Sequence, residues 1–273
     1  MVTRALCTRL SVADDLRRLG VVEGDVLLVH SSLRRCGFVV GGPAAVVLAL
    51  RDAVGTSGTI VVPAMTPDNS DPSRWGSTRK ESVPEEWWPT IRDHLPAFDP
   101  ATTPSYGVGA VAEAVRVWPG AVRSRHPQTS FAAIGPAAAG LMATHDVDCH
   151  LGEASPLGTL AGTDAKILLL GVDYAVCSAF HLAEYRLPGV PFRDYECVIG
   201  DDGQRRWYRY RDVVLVDGDF GEVGRALEVS EWARWIRRGP VGDSESRLLP
   251  LRVAVDFAGS WFAHHRGSPA SLP

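Results

Sequence analysis

The sequence has no closely spaced cysteines. Cys7, Cys36, Cys149, Cys177 and Cys197 are odd in number and widely scattered, and no CxxC pair occurs. That pattern excludes a zinc knuckle or a disulfide framework and points to a reducing compartment. No apolar run reaches the roughly 20 residues that a bilayer-crossing helix needs. Met1–Leu16 mixes Arg4, Arg9, Asp14 and Asp15 with apolar residues and lacks the unbroken apolar core of a signal peptide. A cytoplasmic protein with no membrane partner is therefore expected. Nor is there an excess of positive charge. The formal net charge is -4, and without clustered Lys and Arg no nucleic-acid partner is expected. Internal repeats, low-complexity tracts and obvious linkers are absent.

What is present suits a large α/β enzyme. The chain has 273 residues, 45% of them hydrophobic and 22% charged, enough to bury a sizeable core. Leu10, Val12, Leu16 and Leu19 recur at helical spacing, predicting a helix over 8–19 closed by Gly20. A buried strand over 25–30 (DVLLVH), a helix over 42–54 with Pro43 in its first turn, and a buried strand over 59–65 (TIVVPAM) follow. Further helices are expected over 84–95, 109–117, 137–144, 178–187, 221–236 and 249–264, and further strands over 130–134 and 166–172 (KILLLGV). Asp202-Gly203 marks a hairpin over 195–210. The expected fold is a three-layer α/β/α domain spanning 1–273, with a mixed central sheet and an antiparallel C-terminal addition. A long polar connection is inserted at about 66–97, and loops of that length usually carry function.

Chemistry is expected where a buried strand runs into a loop and then a helix. KILLLGV does this, and the helix after it places His181 and Glu184 at i and i+3 on one face. A histidine beside a carboxylate makes a good general base. By spacing alone a surface His–Glu pair is the commoner arrangement. A zinc reading of HxxE, with His150 or Cys149 as a third ligand, also exists, but no spacing supports it. Ser31 and Ser32 cap the first strand or contact a ligand, and Gly107 permits close backbone approach or simply turns the chain. Asp68, Asp71, Asp146, Asp148 and Glu153 line an acidic cleft or are solvated loop charges. Trp75, Trp87 and Trp88 wall that cleft or pack the loop.

Several segments, in order, resemble the aminoglycoside 3-N-acetyltransferase family. They are LLVHSSL at 27–33, VGGP at 40–43, LRDAVGTSGTIVVPAM at 50–65 and FDPATTPSYGVGAVAEAV at 98–115, then VRSRHPQTSFAAIGP at 122–136, SPLGTL at 155–160, HLAEY at 181–185 and GPVGDSESRLL at 239–249. The resemblance implies direct acetyl transfer from acetyl-CoA in a ternary complex, with no covalent acyl-enzyme and no metal. His181 falls on the family's general base. Asp212 falls on or next to an acidic residue that would orient and polarise it. Asp68, in TPDNSD with Asn69 and Asp71, falls near an acidic residue that would bind the substrate's ammonium groups, with Trp75 and Glu184 as further substrate contacts. On the CoA side the candidates are Ser31, Ser32, Leu33, Gly107, Ser124, Arg125 and His126. The implied substrate is an aminoglycoside, acetylated on the 3-amino group of its 2-deoxystreptamine ring.

The chain departs from the family just before HLAE. Many relatives carry Asn-Thr-Thr where this sequence has Cys177, Ser178 and Ala179, so one hydroxyl survives. Cys177 reads as a small buried thiol rather than a nucleophile. The Arg/Gln-x-x-Gly-x-Gly loop of the GNAT acetyltransferases is missing. Three further readings remain open: a same-family enzyme acting on another amine in secondary metabolism, a metal-assisted hydrolase built on His181, Glu184 and His150, and a non-catalytic amine sensor.

Overall fold

The computed structural model of the protein describes residues 5–75 and 83–266, so part of the long connection over 66–97 lies outside the described residues. In chain order the strands are β1 (Leu6–Cys7), β2 (Val26–Ser31), β3 (Phe38–Val39), β4 (Thr59–Pro63), β5 (Val122–Arg123) and β6 (Phe131–Ile134). They continue as β7 (Lys166–Leu170), β8 (Phe192–Asp201), β9 (Gln204–Val213), β10 (Arg237–Val241) and β11 (Ser244–Pro250). The helices are α1 (Arg9–Leu19), α2 (Gly42–Val54), α3 (Trp88–His94), α4 (Ala110–Arg116) and α5 (Ala138–Met142). After them come α6 (Pro156–Ala161), α7 (Ala179–Tyr185), α8 (Phe220–Val229) and α9 (Leu251–His265).

Local chemistry sets the boundaries. Thr8 and Ser11 cap α1 reciprocally: the Ser11 N–H donates to Thr8 Oγ1 at 3.1 Å and the Thr8 N–H donates to Ser11 Oγ at 2.9 Å. Gly20, at φ 109°, ends the helix in the left-handed conformation that only glycine adopts cheaply. Pro43 lies in the first turn of α2, where its missing N–H does no harm.

The main sheet has the order β10-β11-β7-β2-β4-β6-β5. Its centre is parallel, β2 lying between β7 and β4, and both flanks are antiparallel. Alternation along the central strands feeds two cores. Leu27, Val29, Ile60 and Val62 face the core under α1, α2 and α4. Leu28, Val61, Ile167 and Leu169 face the core under the later helices, which contribute Leu160, Phe180, Leu182 and Phe262. Because the central strands are covered on both faces, they read as continuous apolar runs.

The expected three layers, mixed sheet and antiparallel C-terminal addition are present, and the Asp202-Gly203 hairpin forms beside them as β8–β9 rather than as the addition. The addition is β10–β11, paired antiparallel to β7. The helical periods over 221–236 and 249–264 leave these strands unmarked between them. Two of the buried β11 positions are Ser244 and Ser246, so serine masks the period of two that apolar residues would have shown. With that edge of β7 occupied, β8 and β9 form a sheet of their own, joined by a two-residue turn with Asp202 at φ 47° and Gly203 at φ 76°. The helix expected over 221–236 stops at Val229, because Ser230 turns extended and its hydroxyl caps a short 3₁₀ turn over Glu231–Trp235. Among the described residues no helix is long and apolar enough to cross a membrane.

Candidate active site

The carboxyl ends of β2, β4 and β7 open into one cavity of about 580 Å³. A crevice at the ends of parallel strands is where α/β sheets bind ligands. His30 and Ser31 enter it from the end of β2, Met65 from beyond β4, and Ser178 and His181 from the start of α7, with Tyr106 on the facing loop. Gly171, at φ 65°, turns the chain out of β7. A short 3₁₀ turn over Tyr174–Val176, capped by Asp173, then leads into α7.

His181 and Glu184 meet as the i, i+3 spacing predicts. The His181 Nδ1–H donates to Glu184 Oε2 at 2.6 Å. Glu184 is buried, and its other oxygen accepts from the Val216 N–H at 3.1 Å and from the Arg266 guanidinium. Arg266 also pairs with Asp219 at 2.6 Å. A carboxylate held by three groups is a rigid acceptor that fixes the imidazole's tautomer, keeping the proton on Nδ1. Nε2 is left with a lone pair at the cavity. The His181 ring is seated against Phe220, with centroids 4.7 Å apart.

The partner anticipated for His181 needs correction. Asp212 Oδ2 accepts from the His150 ring Nδ1–H, the His150 backbone N–H and the Tyr185 hydroxyl, each at 2.6 Å, and Oδ1 accepts from the Val213 N–H at 2.7 Å. Its acceptor capacity is committed inside the fold, and Glu184 holds the place beside His181. Burial pushes the Asp212 carboxyl up, but the His150 and Tyr185 hydrogen bonds outweigh that and hold it below its ordinary range. Asp212 belongs to a buried cluster in which the His126 ring lies 4.8 Å from His145 and 4.7 Å from His150, and Tyr195 lies 4.3 Å from His150.

Of the residues anticipated for a CoA ligand, Ser31 and Gly107 line the cavity. Ser32 is outside it, its N–H donating to the Leu170 carbonyl at 2.9 Å, and Leu33 packs on the core under α2. Ser124 and His126 are buried at the far edge of the sheet, Ser124 Oγ lying 2.8 Å from His145 Nδ1, while Arg125 is exposed. This stretch follows the edge strand β5 and packs beneath the β8–β9 hairpin, which explains why it misses the cavity.

The anticipated substrate residues mostly hold the loop together. Asn69 is buried and binds both backbone groups of Val198 on β8, at 3.0 and 2.8 Å. Asp71 is held by Arg92 at 2.7 Å, which with bonds from Ser73 keeps its carboxyl down at about 2. Trp75 is buried and donates to the Ser70 carbonyl at 3.1 Å. Glu184 faces His181 and Arg266 rather than the cavity. Asp68 is half-buried beside Pro67, which does line the cavity. In the wider acidic set, Glu153 pairs with Arg186 at 2.6 Å, and Asp146 and Asp148 are exposed.

Sequence reasoning missed His30, Tyr106, Asp217 and Phe220 as cavity residues, and Arg266 as the clamp on Glu184. Arg266 lies 82 residues from Glu184, and no local pattern marks it. Only LLVHSSL, ending a buried strand with polar residues, carried a usable signal, for His30. Cys177 is fully buried, and burial pushes its thiol up to about 12, so it is no thiolate nucleophile. Among the described residues no group of three or more His, Cys, Asp or Glu is arranged to hold a metal.

The fold and site define an α/β enzyme in which a carboxylate-fixed histidine stands in the crevice beyond a parallel strand. The chain belongs to the aminoglycoside 3-N-acetyltransferase family, whose profile matches residues 28–263. It is 42% identical over 277 residues to aminoglycoside N(3)-acetyltransferase VIII of Streptomyces fradiae, covering 96% of this chain and 94% of that one. Among solved structures, the YokD protein of Bacillus subtilis superposes with a TM-score of 0.92 at 39% identity, over 99% of this chain and 97% of that one. The acetyltransferase AAC-IIIb in binary complex with coenzyme A superposes at 0.82 with 28% identity, over 98% of this chain and all of that one. AAC-VIa bound to sisomicin superposes at 0.81 with 32% identity, over 95% and 98%.

Proposed function

We propose that the protein transfers the acetyl group of acetyl-CoA to the 3-amino group of a 2-deoxystreptamine aminoglycoside, directly and within a ternary complex, with His181 as general base. The observation that carries this reading is the His181 ring at the cavity, its Nδ1–H tied at 2.6 Å to a buried carboxylate. The coenzyme A and sisomicin complexes of similar proteins support the two ligand classes.

The chemistry needs little more than this pair. As the amine nitrogen attacks the thioester carbonyl, His181 Nε2 takes its proton and the ring becomes a cation balanced by Glu184. The carbonyl π electrons move to oxygen. Collapse of the tetrahedral intermediate breaks the C–S bond, and the imidazolium returns the proton to the departing thiolate, giving an amide and CoASH. Asp217, exposed at the cavity wall, favours a cationic acceptor, and Asp68 follows the cavity-lining Pro67 in the chain.

A thiol-release assay with acetyl-CoA and an aminoglycoside panel tests the reading. CoA release that requires an aminoglycoside and falls by about 10³-fold in His181→Ala is expected. Release with an unrelated amine alone would transfer the activity to another acceptor while keeping the base. Amine binding without turnover would leave a sensor.

A further inference from the structure

Ser178 stands at the N-cap position of α7, yet its hydroxyl makes no capping bond. A serine there ordinarily turns its oxygen onto the N–H groups of the first helical turn. Here the hydroxyl lies instead 3.3 Å from Nε2 of His30, at the end of β2. Both residues are only 5% exposed, and both line the cavity that holds His181. Ser178 precedes His181 by one helical turn and accepts its backbone N–H at 3.1 Å. The hydroxyl and the base are therefore carried on one short, rigid segment.

His30 differs from the other histidine in the cavity. No carboxylate is bonded to its ring among the described residues, and burial brings it down to about 4, so it is uncharged near neutral pH. A neutral imidazole that donates Nε2–H to Ser178 Oγ occupies that oxygen as an acceptor. The hydroxyl proton is then free to point elsewhere, and the cavity is the open direction. Aminolysis of a thioester needs a donor at the carbonyl oxygen, where negative charge grows as the amine adds.

Resting on the acetyl-transfer reading, we propose that Ser178 is a catalytic hydrogen-bond donor to the thioester carbonyl oxygen and that His30 is its positioning residue. Ser178 forms no covalent bond. When the C–N bond forms, the carbonyl π electrons move to oxygen and the Ser178 O–H bond to that oxygen strengthens. When the C–S bond breaks, the electrons return and the hydroxyl is unchanged. The single surviving hydroxyl of the Cys177-Ser178-Ala179 stretch is thus the one aimed at the acyl group.

Isotope-edited infrared difference spectroscopy of [1-¹³C]acetyl-CoA bound to the full chain tests this directly, alongside steady-state kinetics and a melting curve for each variant. In the wild type the acetyl carbonyl stretch is expected below its value in water. Ser178→Ala should lose that shift and about 10²-fold in kcat, with KM for acetyl-CoA within about threefold. His30→Phe should lose part of both, whereas Ser178→Thr and His30→Gln, which keep a hydroxyl and an N–H donor, should restore them. A carbonyl shift that survives in Ser178→Ala overturns the proposal, as does a kcat within threefold of wild type. Loss of activity in both His30 variants with Ser178→Ala unaffected also overturns it. If the wild type shows no bound acetyl carbonyl at all, the acetyl-CoA reading falls, and this proposal with it. A bound carbonyl that Ser178 does not perturb sinks only the present inference.

Discussion

Glu184 holds His181 from beneath: one carboxylate oxygen accepts the Nδ1–H at 2.6 Å, and the other is clamped by the Val216 N–H and Arg266. The clamp matters because a free carboxylate on a short helix would swing with its rotamer. Here the ring's orientation is inherited from three separate segments, α7, the loop after β9 and the end of α9.

Replacing Glu184 with Gln should keep the shape and remove the charge. The amide no longer balances an imidazolium and can donate where the carboxylate accepted. Turnover should fall on the order of 10²-fold, with KM for acetyl-CoA little changed. Thiol-release kinetics measure both. An unchanged kcat would mean that His181 is not oriented through Glu184.

Asp212→Ala should act chiefly on stability. It leaves the His150 ring, the His150 N–H and the Tyr185 hydroxyl without their acceptor in a buried cluster. Breaking one side of such a network costs about 3 to 5 kcal/mol, which for a chain of this size lowers Tm by very roughly 10 °C. Differential scanning calorimetry gives the shift. A Tm within 2 °C or so of wild type would show that the cluster is not a structural one.

Asn69→Ala addresses the loop. Its amide accepts from the Val198 N–H and donates to the Val198 carbonyl, which also accepts from the Phe98 N–H, so truncation leaves the buried Val198 N–H unpaired, at about 1 to 3 kcal/mol. Hydrogen exchange at the Val198 amide should accelerate accordingly. If instead KM for the amine rises while exchange is unaltered, Asn69 serves the substrate.

Acid should destabilise the fold before its carboxylates titrate. Burial lowers His30 to about 4 and holds His126 well below its ordinary value. Below the ordinary histidine value of about 6.5, the unfolded chain takes up protons that these folded rings refuse. Stability is therefore full above about pH 6.5 and declines as the pH falls toward 4. At a pH one unit below 6.5 each of the two rings removes about 1.4 kcal/mol. Urea midpoints at pH 7.5 and 5.5 report the change, and a midpoint that does not move would contradict the burial of these rings.

Much of the fold was legible in the sequence because its central strands are covered on both faces. DVLLVH, TIVVPAM and KILLLGV stand out as apolar runs, and the helices between them follow from spacing and caps. The strands β10 and β11 stayed hidden because serines fill buried positions of β11, where hydrogen bonds rather than apolar surface satisfy the core. In the site, HxxE was readable because a helix brings residues three apart together. The Asp212 assignment was not, since a hydrogen-bond partner across the molecule leaves no local trace, and His150 rather than His181 holds that carboxylate.

The sequence by itself determined the order of the central strands and the helices between them, the pairing of His181 with Glu184, and the family resemblance, all of which rest on local spacing or ordered motifs. Only the tertiary structure decided that His30, Ser178 and Asp217 share a cavity with His181, that Arg266 clamps Glu184, and that His126 and Asp212 lie outside it. Those relations depend on which strand ends lie side by side in the sheet. Residues far apart in the chain are brought together by packing the two cores, and no periodicity in the sequence records that.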